Sequence, residues 1–332
     1  MNVPKRHHFL PAFYLDGFCS DGVLCVFDRE RHEYRVQQPR DTAVRRYYYA
    51  IEDAEGNRNL EIEGLLAELE SAAKPVIEKL DSGYTLTAEE REALGNFIGF
   101  MFVRVPEFED RVNAIYDGSL RAMNKLTFAN EETAKREMDR FGAATGQQFT
   151  EAEIKAQMEF VQADEYAITI HRNWVLGHML QQGPAMGHVF RQMDWLVLHP
   201  DDPRTSFVTT DKPVCVMPPP GYKPNIYGFG IGTLGAIKLV PLSHKSSLYI
   251  QDKGSRFGHR SIPRNTVRAI NQSVARQCQQ YVIGRDELLV RNLVVNTRVD
   301  KTEAQPTVVV GGLGARKPKV AESKRDDENA SD

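Results

Sequence analysis

The sequence predicts an α+β fold: a mixed or antiparallel sheet built from N- and C-terminal β segments, with a large central helical block. Three observations carry this expectation. Residues 20–52 and 195–298 hold short apolar runs broken by Gly, Pro and polar turns. From about 60 to 193, apolar residues instead recur at helical spacing. The two kinds of segment are grouped rather than alternating, which is the α+β pattern. One α+β domain is expected over 1–300, with a polar tail at 301–332 that reads as disordered.

The elements follow in order. Pro11, Tyr14, Leu15 and Phe18 share one face of a short helix with proline in its first turn. Val23 to Phe27 reads as a strand, with Tyr34–Val36 and Tyr47–Ile51 as its expected partners. Ile62, Leu66, Leu69, Ala73, Val76 and Leu80 form a helical stripe behind an Asn59 cap, with Pro75 inside it. Thr87 and Glu90 form a capping box ahead of Leu94 to Val105, a helix apolar almost all round. Residues 107–128 and 131–142 continue helically. A second box, Thr150 with Glu153, is expected to open a helix reaching Gln182, with a short one over 184–193. Strands are expected at 195–199, 206–209, 214–217, 237–240, 248–250 and 288–295, and an amphipathic helix on Val267, Ile270, Val274, Cys278 and Tyr281.

Composition excludes more than it selects. At 41% hydrophobic and 26% charged, the chain is neither disordered nor collagen-like. Cys19, Cys25, Cys215 and Cys278 are far apart, with no CxxC pair, so neither a disulfide framework nor a zinc knuckle is expected. No apolar run has membrane-spanning length, and the N-terminus lacks a signal-peptide pattern; a cytoplasmic location is expected. The net charge of −3 conceals an asymmetry of −12 over residues 51–200 against +7 over 201–300. Either the two regions neutralise each other or the basic third meets an anionic partner.

No P-loop, nucleophile elbow or HExxH motif occurs, and Gly228-Phe229-Gly230-Ile231-Gly232 lacks the strand–turn–helix setting of a dinucleotide site. The informative residues are polar ones in apolar settings. His7 and His8 adjoin the first helix, and neighbours on a strand or helix cannot both face one site. Arg104 sits in an apolar run and needs a carboxylate or anionic ligand; Glu61, Glu63 and Asp211 are the expected structural partners. Asp211 ends a strand before Pro213, where catalytic carboxylates and ordinary Asx turns both occur. Asn271 falls on the apolar face of its helix, so its amide needs partners. A metal would require three or four of His7 or His8, Glu61 or Glu63, Asp211 and His244 to converge. Arg256, Arg260, Arg264 and Arg268, with Lys253 and Arg276, form a candidate basic strip for phosphate or nucleic acid, which Pro263 prevents from lying on one helix. Arg172-Asn173 followed by His178 resembles the active-site pattern of the HEPN ribonucleases.

The ordered set of motifs resembles the domain-of-unknown-function family 4238. It comprises His8-x-x-Pro11-x-x-Tyr14-Leu15-x-x-Phe18, the acidic helix from Leu60, Arg104-x-Pro106, Trp195, Phe207 to Val214, Pro241-Leu242-Ser243 and the Asn271 helix. The likeness runs from about residue 7 to 284. The family usually has Ser-Asp-Asn-Pro where this chain has Thr210-Asp211-Lys212-Pro213, and Pro-Leu-Ser-Pro where it has His244. A cation beside Asp211 tells against a metal there, and His244 is a poor candidate for a shared mechanism. The resemblance implies fold boundaries and positions, not a reaction.

The leading functional expectation is a hydrolase for a phosphate-bearing or nucleic-acid substrate. In it His8 acts as base or metal ligand, Asp211 orients it, Arg104 stabilises phosphate charge and Asn271 lies in the same site. The alternative is a non-catalytic binding or interaction protein in which these residues form a buried structural network. A helical ribonuclease using Arg172 and His178 is a third.

Overall fold

The computed structural model describes residues 6–53, 58–59, 61–223 and 228–301; the tail beyond 301 lies outside them. The described residues divide into two compact units, one within 6–112 and 170–301, the other within 113–169. The architecture is α+β.

The first unit begins with β1 (Arg6–His8) and α1 (Ala12–Asp16), then β2 (Leu24–Asp28) and β3 (Glu33–Gln37), an antiparallel pair. The expected third partner from Tyr47 to Ile51 does not join them. Instead β4 (Val44–Arg46) pairs with β1, and β5 (Ile51–Glu52) with β6 (Arg58–Asn59). Asn59 Oδ1 accepts the Glu61 N–H and opens α2 (Glu61–Asp81), in which Pro75 lies. The Thr87–Glu90 capping box opens α3 (Ala88–Val103) as expected, and Pro106 begins α4 (Pro106–Thr127).

The second unit holds most of α4, α5 (Glu131–Thr145) and α6 (Glu151–Ala163), around a small core of Phe128, Ala134, Ile154 and Val161. Both capping-box hydrogen bonds of Thr150 and Glu153 form. The helix they open does not reach Gln182. It stops at Asp164, which adopts a left-handed conformation, and helicity resumes only at α7 (Arg172–Arg191), capped by His171. Helical periodicity ran across the break because it records burial, not chain continuity.

Within the first unit, α3 and α7 cross through glycines. A Cβ on Gly99 would collide with the Gly183 carbonyl, and one on Gly187 would lie 2.8 Å from Asn96 Cα. Gly95 and Gly99 on α3 thus face Gly183 and Gly187 on α7, and the two backbones meet directly.

After α7 come β7 (Met193–Pro200), β8 (Thr209–Thr210), β9 (Cys215–Met217), β10 (Ile237–Pro241), β11 (Ser247–Lys253) and β12 (Phe257–Ile262). The chain ends, as described, with α8 (Arg264–Arg276), β13 (Tyr281–Gly284) and α9 (Glu287–Thr297). A five-stranded mixed sheet has the order β12-β7-β11-β10-β9, parallel only between β12 and β7. The four-stranded sheet β3-β2-β13-β8 joins N-terminal to C-terminal strands, as expected. One apolar cluster draws on both sheets and on α8 and α9, including Phe27, Leu239, Val267, Val274, Val282 and Leu293.

Two expectations near the C-terminus are corrected, and one strand was not foreseen. Residues 288–295 are helical, not extended: Asp286 caps Leu289 N–H, and burial of Val290, Leu293, Val294 and Thr297 follows the helical period, with Leu288 and Val295 exposed. The amphipathic helix ends at Arg276, and Tyr281 starts β13. Phe257–Ile262 is a strand whose pairing with β7 no local pattern announced.

Candidate functional site

Each sequence-predicted residue has a definite place. β1 points His7 inward and leaves His8 half-buried. His7 Nδ1 accepts the Tyr49 N–H at 2.9 Å, and its Nε2 lies 3.7 Å from Glu63. His8 Nε2 donates to the Arg40 carbonyl at 3.0 Å, and burial holds the imidazole pKa below its ordinary value. Arg104, buried at the end of α3, donates to Glu70 Oε1 at 2.8 Å, to the His8 carbonyl at 2.8 Å and to the Tyr49 hydroxyl at 3.1 Å. Its ion-pair partner is therefore Glu70, not Glu61, Glu63 or Asp211. Glu70 is one further turn or more along α2, which only the packing of α2 on α3 brings opposite.

Asp211 and Asn271 serve different segments. Asp211 Oδ1 and Oδ2 accept the Gln279 and Gln280 N–H groups, fastening the turn between α8 and β13. Burial raises its carboxyl to about 6, opposed by these backbone donors and by Lys212. Asn271 accepts the Val208 N–H at 3.2 Å and donates to the Ser206 carbonyl at 2.9 Å, stitching α8 to the 206–208 segment. Thus the structure brings His8 to Arg104 through a main-chain carbonyl, while the hydrogen bonds of Asp211 and Asn271 go elsewhere. The His244 ring nitrogen Nδ1 bonds the Gly17 carbonyl at 2.8 Å. Among the described residues no three His, Cys, Asp or Glu side chains are placed to hold a metal, so the proposed metal cluster does not form. Burial pushes the Cys215 and Cys278 thiols up to about 12, leaving them protonated near neutrality.

Arg172 and His178 lie six residues apart on α7, roughly 120° around a helix. Arg172 donates to the Tyr48 carbonyl and pairs with Glu109 at 3.4 Å, while the half-buried His178 ring packs edge-on against Trp174.

The basic strip resolves into separate parts. Arg256 pairs with Asp194 at 2.7 Å, and Arg260 is exposed on β12. The Lys253 side chain lies outside the described residues. Arg264 and Arg268, one turn apart on exposed α8 positions, line a groove of about 310 Å³ beside α9. Neither forms a hydrogen bond or ion pair among the described residues. The groove floor includes Val267, Asn271 and Leu293, all buried, and Asn292 lies on its α9 wall. Asp202, nearby, is held by both Arg204 nitrogens at 3.0 Å. The α9 wall escaped sequence reasoning because 288–295 read as a strand.

Comparison with known proteins is short. The chain matches the family model described as "Protein of unknown function (DUF4238)" over residues 6–287. No curated protein and no solved structure matches it. The chain belongs to the DUF4238 family.

Proposed function

We propose that this chain is a binding protein for an anionic, phosphate-bearing ligand, taken in the groove between α8 and α9. The observation that carries the reading is the pair Arg264 and Arg268: two guanidiniums one helical turn apart, neither hydrogen-bonded nor ion-paired to a carboxylate among the described residues, beside buried Val267 and Leu293. Arginine presents a planar fork suited to phosphate oxygens. A hydrolase would need His8, Arg104, Asp211 and Asn271 to act on one substrate. What weighs toward binding instead is that Asp211 and Asn271 spend their polar atoms on main-chain groups. Calorimetric titration with inorganic pyrophosphate tests the reading. Binding that weakens with added salt and is lost in the R264A/R268A double variant supports it. Affinity unchanged in the double variant, or no binding to the native chain, defeats it.

A further inference from the structure

We infer that the groove takes an adenine mononucleotide, its phosphates on Arg264 and Arg268 and its base between the apolar floor and the α9 amides. This rests on the anion reading above and goes further by naming the rest of the ligand.

Size comes first. About 310 Å³ lies at the lower end of small-molecule sites, roughly 300–1,000 Å³. The α8 wall carries Arg264, Arg268 and Gln272 at four-residue steps, a span of about 12 Å at 1.5 Å per residue. That is room for one extended nucleotide and not for a polymer tract.

The lining supplies three chemistries in one groove. Two guanidiniums a turn apart, with no hydrogen bond to a carboxylate among the described residues, suit a diphosphate better than a single carboxylate. Leu288 and Leu289 on α9, with the little of Leu293 that is exposed, offer apolar surface for the face of a flat ring. Asn292 and Gln272 bring side-chain amides with no hydrogen bond inside the described chain. An amide carries a donor beside an acceptor, the pairing that matches the adjacent amino group and ring nitrogen of adenine. Asn296 adds an acceptor, since its Nδ2 is committed to the Asn292 carbonyl at 2.6 Å. Of the acids at the rim, Asp202 is ion-paired with Arg204, and Asp286, the α9 cap, is the one carboxylate lining the groove.

The test is calorimetric titration of the full chain with ADP, UDP and inorganic pyrophosphate, on native protein and on N292A and R264A/R268A variants. Thermal melts verify that these surface substitutions leave the fold intact. ADP is expected to bind at least about tenfold more tightly than pyrophosphate or UDP, a difference of about 1.4 kcal/mol. N292A is expected to remove most of that advantage while leaving pyrophosphate affinity unchanged. R264A/R268A is expected to abolish binding of all three. Equal affinities for ADP and pyrophosphate would overturn the base assignment while sparing the anion reading. Equal affinities for ADP and UDP would overturn the choice of adenine. No binding of any probe would overturn both readings. A single-stranded oligonucleotide binding more tightly than ADP would overturn the mononucleotide size.

Discussion

Glu70 on α2 accepts a hydrogen bond from Arg104 at the end of α3, Oε1 to Nη1 at 2.8 Å, and the same guanidinium reaches the His8 carbonyl and the Tyr49 hydroxyl. One buried cation thus ties α2, α3, β1 and the segment before β5 together. Removing it would leave a buried carbonyl and a partly buried carboxylate uncompensated. R104A is expected to destabilise the chain by about 3–5 kcal/mol, and E70Q by less, because Glu70 retains some contact with water. Urea unfolding midpoints decide this; an unshifted midpoint in R104A would show that the link contributes nothing.

Asn271 makes the same kind of prediction for α8. N271A strands the Val208 N–H and the Ser206 carbonyl in the core, each at about 1–3 kcal/mol. Loss of native-state amide protection at Val208, followed by hydrogen exchange, is the specific signature. Undiminished protection there would refute the assignment.

Asp211 gives a pH dependence. Its folded carboxyl, raised to about 6 from 3.8, binds a proton more tightly than the unfolded chain does. Its contribution to stability is therefore fully present below about 3.8 and is lost as pH rises through about 6, to the order of 3 kcal/mol. D211N lacks this titration. Its stability relative to the native chain is expected to improve between pH 4 and 7 in paired denaturation curves, and parallel profiles would contradict the prediction.

His199 and His259 bring the opposite sign. His199 Nε2 lies 2.9 Å from His259 Nδ1, and His259 Nε2 donates to the Tyr84 carbonyl, so neutral His259 accepts from His199. Burial, then the neighbouring His259, lowers the His199 pKa, against an opposing pull from Asp81 and the Lys245 main chain. A depressed imidazole pKa means stability present above the unfolded value of about 6.5 and lost as pH falls below it. The native chain is expected to lose more thermal stability than H199Q between pH 7.5 and 5.5.

Gly99 tests the crossing of α3 and α7. G99A places a methyl against the Gly183 carbonyl and the Gly187 backbone, neither of which is a flexible side chain. A loss of about 1–3 kcal/mol or more is expected, whereas G118A, with open space around it, should cost nothing. Equal melting temperatures for the two variants would contradict this packing.

Local pattern was enough wherever a residue's conformation depends on its near neighbours. The capping boxes at Thr87 and Thr150 and the amphipathic α2 and α8 were legible, because their partners lie three or four residues away. The α+β class and the joining of N- and C-terminal strands followed from segment order. Tertiary structure alone decided the rest. Apolar spacing could not separate α9 from a strand until the Asp286 cap and the burial of one face were seen. It could not choose Glu70 for Arg104, nor assign Asp211 and Asn271 to main-chain groups, because those partners are 34 to 69 residues distant. The same holds for the groove. The four-residue spacing of Arg264 and Arg268 was legible in the sequence as part of a basic strip. Setting them beside Asn292, with no carboxylate hydrogen-bonded to them among the described residues, required the packing of α9 beside α8, and long-range contacts of that kind carry no local signal.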